Sequence, residues 1–207
     1  MKKQLLRVGT VAVLLAALTL FAACADEQTF EPDSMQAEES AQSSDAGEAA
    51  QPVTFTARDL DGNAVTEAVF ANADLTMLNV WATFCGPCLQ EMPDLGELSE
   101  EYADKGVQIV GVVSDVGDSE ADMQTVRDII DSTGADYVHL LPSAEMQSGL
   151  LADMMYVPTT LFFDRNGNQI NGEIVGSKSK ADWEAVIDRM LSLATAKNAE
   201  TEEPAGE

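Results

Sequence analysis

The feature that most constrains this chain is a pair of cysteines two residues apart, set between an apolar run and a helical pattern. The motif is Cys85-Gly86-Pro87-Cys88. Just before it, Leu75–Trp81 is a nearly continuous apolar run that predicts a buried strand, and apolar residues recur at helical spacing from Leu89 onward. The pair is therefore predicted at the N-terminus of a helix, where unpaired N–H groups and the helix dipole stabilise a thiolate.

The spacing of this pair suits redox chemistry. A thiolate is the form of cysteine that attacks disulfides, and two cysteines this close can bond to each other with little backbone movement. Zinc is the main competing interpretation, but a structural zinc site usually takes four ligands, and the chain has three cysteines and one histidine, His139. We therefore expect no metal. A purely structural disulfide is the plainer alternative, although so short a loop constrains the unfolded chain little.

The N-terminus has the pattern of a secretory signal. Lys2, Lys3 and Arg7 form a positive region, and the apolar run Val8–Ala23 ends in small residues before Cys24. The pattern resembles a bacterial lipoprotein signal, in which residues 1–23 are removed and Cys24 carries the lipid. The alternative is ordinary cleavage that leaves Cys24 as a free thiol, which would be a liability beside a redox pair.

The segments on either side of the central domain are acidic. Residues 25–51 contain eight acidic residues and no basic one, so we expect 24–51 to be a disordered linker that cannot bury enough apolar surface to fold. Residues 197–207 are predicted to be a disordered acidic tail. The whole chain has 36 acidic and 11 basic residues, a net charge of −25, which argues against nucleic-acid binding because that needs a basic surface.

Between these segments, residues 52–196 are predicted to form a single domain. Alternating apolar residues around the turn Asp61-Gly62 predict a small N-terminal hairpin. The turn Asn166-Gly167 predicts a second, antiparallel hairpin. The elements expected after the cysteine motif are helices from Leu89 to Tyr102, Met123 to Ile130, Met146 to Met154 and Trp183 to Leu191, and strands at Val107–Val113, Tyr137–Leu141, Thr159–Phe163 and Gln169–Val175. This order predicts an α/β fold with a mixed central sheet and helices on both faces.

Two segments carry a resemblance to a known family. The run Asn79–Pro93 resembles the active-site segment of the membrane-anchored, extracytoplasmic thioredoxin-like reductases of the TlpA and ResA type. Val157–Asp164 resembles the cis-proline segment of that family, and the turn at Asp59–Gly62 is similar to its added N-terminal hairpin. The resemblance covers residues 53–195 and implies a thioredoxin-like fold with an added N-terminal β-hairpin.

The resemblance also implies roles for individual residues. Cys85 corresponds to the exposed attacking thiolate, and Cys88 to the cysteine that resolves the mixed disulfide. Pro158 is expected to be cis and to lie beside the sulfurs, with Val157 offering backbone hydrogen bonds to a bound peptide. The remaining residues of the expected substrate-binding set are Trp81, Gly86 and Pro87.

The expected source of proton transfer is Glu91. It matches the family's acid three residues after the second cysteine, and its implied role is to couple to the thiol pKa and shuttle a proton. The alternative is a solvated acid in the first turn that favours the helix dipole. Asn79 stands where cytoplasmic thioredoxins carry a buried acid, so proton transfer depends on Glu91, water or another residue. Phe84 stands where many members have tryptophan or tyrosine.

The function that these patterns predict is a lipid-anchored thiol–disulfide oxidoreductase at the extracytoplasmic face of the cell membrane, working mainly as a reductase. Gly86 and Pro87 match reducing thioredoxins, and the motif lacks a nearby cation that could stabilise the reduced form of a strong oxidant. No cofactor is expected, because the sequence has no nucleotide-binding loop or flavin motif, so electrons would come from a membrane thiol donor.

The expected clients are oxidised protein thiols. Candidates are apocytochrome c before haem attachment, as in cytochrome c maturation, a methionine sulfoxide reductase, or a misoxidised secreted protein. Two alternatives stay open on the sequence. One is a peroxiredoxin-type thiol peroxidase, which would want a Thr-x-x-Cys site with arginine close by. The other is a non-enzymatic envelope protein that uses a thioredoxin-like domain for binding.

Overall fold

The computed structural model describes residues 52–117 and 119–202. The expected signal peptide, the lipidation site Cys24, the linker and the last five residues therefore lie outside the described residues. Within the described ranges, no helix is both long enough and apolar enough to cross a membrane.

Among the described residues, the centre of the domain is a seven-stranded mixed sheet with the strand order β2-β1-β5-β4-β3-β6-β7. Strand β3 pairs in parallel with β4 and antiparallel with β6, and β1 pairs antiparallel with both β2 and β5. The strands are β1 (Thr56–Asp59), β2 (Ala64–Thr66), β3 (Leu75–Trp81), β4 (Val107–Val113), β5 (Val138–Pro142), β6 (Thr159–Asp164) and β7 (Ile174–Val175). Both the mixed sheet and the N-terminal hairpin that the sequence predicts are confirmed.

In the part of the chain that the structure describes, four α-helices cover the sheet: α1 (Gly86–Ala103), α2 (Glu120–Thr133), α3 (Ala144–Ser148) and α4 (Lys180–Glu202). Helix α1 begins where Cys85 takes an extended backbone as the N-cap residue, and Pro87 lies in the first turn, where its missing N–H has no helical partner to lose. Helix α2 is capped by the Ser119 hydroxyl, which accepts from the Asp122 amide at 3.1 Å, and ends at Gly134 in the left-handed conformation.

The core lies on both faces of the sheet. On one face α1 and α4 pack on β3, β4 and β6 through a cluster that includes Leu95, Phe162 and Trp183. The other face is covered by α3 and by a 3₁₀ helix at Glu67–Asn72, whose Phe70 stacks on Phe163 with ring centroids 4.5 Å apart. All seven residues of β3 are buried, as expected for a central strand covered on both sides.

Three predicted elements differ from the structure. The strand expected at Gln169–Val175 is interrupted, because only Gln169 bridges to Phe163 before Asn171 turns with a φ of 65°. The helix expected from Met146 to Met154 ends at Ser148. The disordered tail expected from residue 197 is also wrong at its start, since α4 continues to Glu202.

The extension of α4 has a physical cause in packing. Asn198 is buried, and its side-chain amide donates a hydrogen bond to the carbonyl oxygen of Asp74 at 3.2 Å. Lys197 lies 3.7 Å from the carboxylate of Asp164. The sequence of this segment predicts a polar, solvated chain. These contacts instead hold it against the end of the sheet.

Candidate redox site

The two cysteines of the motif form a disulfide at the N-terminus of α1, with Cα atoms 5.3 Å apart. The sulfur of Cys85 also accepts a hydrogen bond from the backbone amide of Cys88 at 3.2 Å. That amide belongs to the first turn of the helix and has no partner within the helix. Any charge that develops on the sulfur of Cys85 is therefore met by a backbone donor and by the positive end of the helix dipole.

The two cysteines differ in exposure, but less than expected. Cys88 is fully buried and Cys85 is 5% exposed. The expectation of an exposed Cys85 is therefore wrong for the disulfide form, because both residues pack in one cluster with Met92 of α1 and Val126 of α2. Gly86 and Pro87, between them, are exposed.

The segment before β6 approaches the same cluster. The peptide bond between Val157 and Pro158 is cis, as the family resemblance implied. Pro158 is buried, and Val157 is half-buried against the cluster that holds both cysteines. The carbonyl oxygen of Pro158 accepts a hydrogen bond from the amide of Gly176 at 2.8 Å, which ties this segment to the chain after β7.

A surface depression of about 310 Å³ extends from the residue before Cys85 to the residue before Pro158. Its walls include three large side chains with high exposure, Phe84 at 79%, Met155 at 79% and Tyr156 at 68%. From the sequence, Phe84 is predicted only as a departure from the family, and Met155 and Tyr156 are not predicted at all. Their exposure depends on how the short segment after α3 folds back, so no local sequence signal marks them.

Glu91 is buried inside the domain rather than solvated. Only 2% of its surface is exposed, and its carboxylate accepts three hydrogen bonds. Oε2 accepts from the indole N–H of Trp183 at 3.0 Å and from the backbone amide of Lys178 at 3.1 Å, while Oε1 accepts from the side-chain amide of Asn79 at 3.2 Å. The alternative of a solvated first-turn acid is therefore wrong.

Burial raises the pKa of Glu91 above its ordinary value of 4.5, because the charged carboxylate loses its hydration. The three donors and the nearby Lys178 ammonium act in the opposite direction but do not cancel this effect. Asn79, which replaces the buried acid of cytoplasmic thioredoxins, is fully buried on β3 and joins Glu91 to the hydroxyl of Thr160 at 3.1 Å. The acid therefore reaches this position from helix α1 instead of from the strand.

Trp81 serves the core and not the surface. It has no exposed surface and lies in the same apolar cluster as Cys85 and Cys88, so it packs beside the site, and its place in the substrate-binding set stays a prediction. Its indole N–H donates to Nδ1 of His139 at 3.2 Å, and the other ring nitrogen of His139 donates to the carbonyl oxygen of Ala135 at 2.9 Å. Burial lowers the pKa of His139 to about 4, which keeps the ring neutral. Gly111 makes room for this ring, since a Cβ there would overlap it.

Comparison with known proteins places this site in a family. The family model named Redoxin matches residues 45–187, well over half of the chain. The chain belongs to the Redoxin family. This Redoxin-family chain is 33% identical over 120 residues to the thioredoxin-like protein YneN of Bacillus subtilis, which covers 57% of this chain and 66% of YneN.

Two further matches concern the chemistry. This Redoxin-family chain is 26% identical over 136 residues to the thiol-disulfide oxidoreductase ResA of Bacillus anthracis, covering 66% of this chain and 74% of ResA. It also matches the crystal structure of a thiol:disulfide interchange protein of the thioredoxin family from Chlorobium tepidum, with a TM-score of 0.57, 26% identity, and coverage of 72% of this chain and 99% of that one. The protein is a thiol–disulfide oxidoreductase of the thioredoxin family.

Proposed function

We propose that this chain is a lipid-anchored reductase on the extracytoplasmic face of the cell membrane and that it reduces disulfides in secreted or membrane proteins. The observation that carries the proposal is the Cys85–Cys88 disulfide at the start of α1, with the buried acid Glu91 on the same helix. Residues three apart on a helix lie on one face, so Glu91 and Cys88 are placed to exchange a proton.

In the first step of the proposed reaction, the thiolate of Cys85 attacks one sulfur of a client disulfide. A bond forms between Cys85 and that sulfur, the client S–S bond breaks, and the second client sulfur leaves as a thiolate that takes up a proton. Cys85 is the attacking residue because it is the N-cap, next to unpaired amides, and because Cys88 has no exposed surface.

In the second step, Cys88 resolves the mixed disulfide. Its thiol gives a proton to the carboxylate of Glu91, and the resulting thiolate attacks the sulfur of Cys85. The Cys85–Cys88 disulfide forms, and the client sulfur leaves as a thiolate that Glu91 protonates. Two electrons thus pass from the protein to the client. A carboxylate whose pKa is raised by burial suits this role, because a proton shuttle works best when its pKa is near the working pH.

The proposed client surface is the depression beside the disulfide. Phe84, Met155 and Tyr156 offer exposed apolar area there, and Gly86 and Pro87 are also exposed. We propose that an extended client segment lies along this surface, with its backbone beside Val157 and its cysteine beside Cys85. Apocytochrome c, a methionine sulfoxide reductase and misoxidised secreted proteins are the client candidates.

The proposed anchor is a lipid on Cys24 after removal of residues 1–23, with residues 24–51 as the tether. One acyl chain alone binds a membrane marginally, so we expect at least two chains on Cys24. A thiol protein of the membrane is the proposed electron donor. Fractionation of the wild type and Cys24→Ala tests the anchor: the wild type should sediment with membranes and the variant should not, and equal solubility would contradict it.

The reducing direction is tested by the redox potential. We expect a value near the thioredoxin value of about −270 mV, well below the value of about −120 mV of a strong oxidant. Equilibration with dithiothreitol buffers and alkylation of free thiols measures it. A potential above about −180 mV, the level of an isomerase, would overturn the reductase assignment. Insulin reduction should be lost in Cys85→Ser, whereas hydrogen peroxide consumption by the wild type would indicate the peroxidase alternative.

A further inference from the structure

The two oxygens of the Glu91 carboxylate accept different numbers of hydrogen bonds. Oε2 accepts two hydrogen bonds, from the indole of Trp183 and the amide of Lys178, whereas Oε1 accepts one, from Asn79. A carboxylate oxygen can accept two hydrogen bonds through its lone pairs. Oε2 is therefore fully occupied, and Oε1 is the oxygen with acceptor capacity left over.

The two groups that hold Oε2 come from one short stretch at the start of α4. The amide of Lys178 donates directly to Glu91, and Trp183 lies in the first turns of the helix. The same stretch is fixed to α1, because the amide of Lys180 donates to the carboxylate of Asp94 at 3.0 Å and its ammonium pairs with two further acids of α1. The donors are therefore anchored to the helix that carries both Glu91 and the cysteines.

We propose that Trp183, together with the backbone amide of Lys178, is a positioning element that holds Oε2 of Glu91 and leaves Oε1 as the oxygen that takes the proton. The inference rests on the proposed role of Glu91 as the proton acceptor. Trp183 is fully buried, and it acts only through the carboxylate, so its effect is expected on the ionisation of Glu91 and not on the attack by Cys85.

Two other charged or titratable groups face Glu91 and are part of the same balance. The Lys178 ammonium lowers the pKa of Glu91 by its charge. The hydroxyl of Tyr137, which precedes β5, is buried, and both burial and the charge of Glu91 raise its pKa, so it stays neutral. Neither the Lys178 ammonium nor the Tyr137 hydroxyl donates a hydrogen bond to the carboxylate of Glu91. Trp183 is therefore the side-chain donor to Glu91 from α4.

The wild-type protein contains its own control, because it has only two tryptophans and both indoles donate to buried titratable groups. The experiment is a pH titration of the two indole N–H signals by ¹H–¹⁵N NMR on the full chain in its disulfide form, in which neither Cys85 nor Cys88 titrates. We expect the Trp183 signal to shift upfield when Glu91 gains its proton. The Trp81 signal should instead follow His139, with a midpoint of about 4.

The matched variants are Trp183→Phe and Trp81→Phe, each of which removes one indole donor and keeps an aromatic ring in the core. An N–H bond to a charged acceptor is strong enough that Trp183→Phe should raise the pKa of Glu91 by about one to two pH units. The carbon signal of the Glu91 carboxyl measures this shift directly. Trp81→Phe should leave that midpoint in place. If Trp183→Phe does not fold, the titration of the wild-type indole still decides the question.

The outcomes separate this inference from the proposed function. Glu91→Gln should abolish both the titration of the Trp183 indole and the acidic limb of the rate at which the mixed disulfide resolves. If the limb persists in Glu91→Gln, the proposed proton acceptor is wrong, whatever the indole shows. If the limb disappears in Glu91→Gln but the Trp183 indole does not titrate with Glu91, or Trp183→Phe leaves the pKa of Glu91 unchanged, the positioning role is overturned.

Discussion

Two buried indoles lie in core clusters that include residues of α1, and each contacts a buried titratable group, with different results. Trp81 donates to His139, which also donates to a backbone carbonyl, so the neutral imidazole has one donor and one acceptor satisfied. Trp183 donates to Glu91, whose three donors would suit a charged carboxylate, although burial favours the neutral form. The first pair is satisfied in one protonation state, whereas in the second the hydrogen bonds favour the charged form of Glu91 and burial favours the neutral one.

This difference is the reason that the Glu91 pocket, and not the His139 pocket, is the proposed place of proton transfer. A shuttle needs both protonation states within reach of neutral pH. Burial lowers the pKa of His139 to about 4, so the charged form of the ring is scarcely populated at neutral pH. Burial raises the pKa of Glu91 towards neutral pH. The same physical effect, loss of hydration, therefore keeps the histidine neutral and brings the pKa of the acid closer to neutral pH.

The largest effect that would test this comparison is the pH dependence of stability. The pKa of His139 falls from 6.5 to about 4 on folding, so its contribution is present above pH 6.5 and is lost as the pH falls through about 4. The expected loss is about 3 kcal/mol. For Glu91 the sign is opposite: its pKa is raised above 4.5, so stability is present below pH 4.5 and is lost as the pH rises through the folded pKa.

Urea unfolding between pH 4 and pH 7 measures both slopes. His139→Gln should flatten the loss of stability on acidification relative to the wild type. Glu91→Gln should steepen it, because it removes the group that gains stability there. Identical slopes in the wild type and His139→Gln would mean that the histidine is not held neutral by burial, and the contrast between the two pockets would fail.

A smaller effect is expected from the packing around the histidine. A Cβ on Gly111 would overlap the ring of His139 and would also lie 3.1 Å from the indole nitrogen of Trp81. Gly111→Ala should therefore destabilise the domain by about 1–3 kcal/mol through overpacking. Urea unfolding at neutral pH measures the change.

The control for Gly111→Ala is Gly172→Ala, where the added Cβ meets nothing within 4 Å. That variant should stay within about 0.5 kcal/mol of the wild type. Equal stability of the two variants would show that the ring of His139 moves aside without cost, and that its pocket is less rigid than the structure indicates.

The elements around the cysteine motif can be predicted from the sequence, unlike the contacts inside the two pockets. The cysteine motif, the strand before it and the helix after it are read from neighbouring residues, and β3 and α1 lie where the pattern places them. The N-terminal hairpin is likewise set by a local turn at Asp61-Gly62. Local backbone preferences and apolar periodicity decide such elements, so they are visible in one sequence.

The surroundings of Glu91 are not visible in this way. Two of its three donors, Trp183 and Lys178, lie 92 and 87 residues further along the chain, and the periodicity of the last helix predicts Trp183 only as a core position. The end of α4 is similar, since Asn198 is fixed by a contact with Asp74 across 124 residues. Contacts of this kind depend on the assembled fold, which a local pattern does not contain.

The smallest expected effect separates the two contributions of Lys178 to the Glu91 pocket. Its backbone amide donates to Oε2, and this bond survives any substitution except proline. Its ammonium is attached to a partly exposed side chain, so its charge is screened by solvent. Lys178→Ala should therefore raise the pKa of Glu91 by only a few tenths of a pH unit, roughly the effect of a screened surface charge.

The shift should disappear at high salt, because salt screens charges but does not remove a hydrogen bond. The titration of the Trp183 indole at low and high salt measures both. A shift as large as that of Trp183→Phe, or one that salt leaves unchanged, would mean that the ammonium and not the pair of N–H donors sets the ionisation of Glu91.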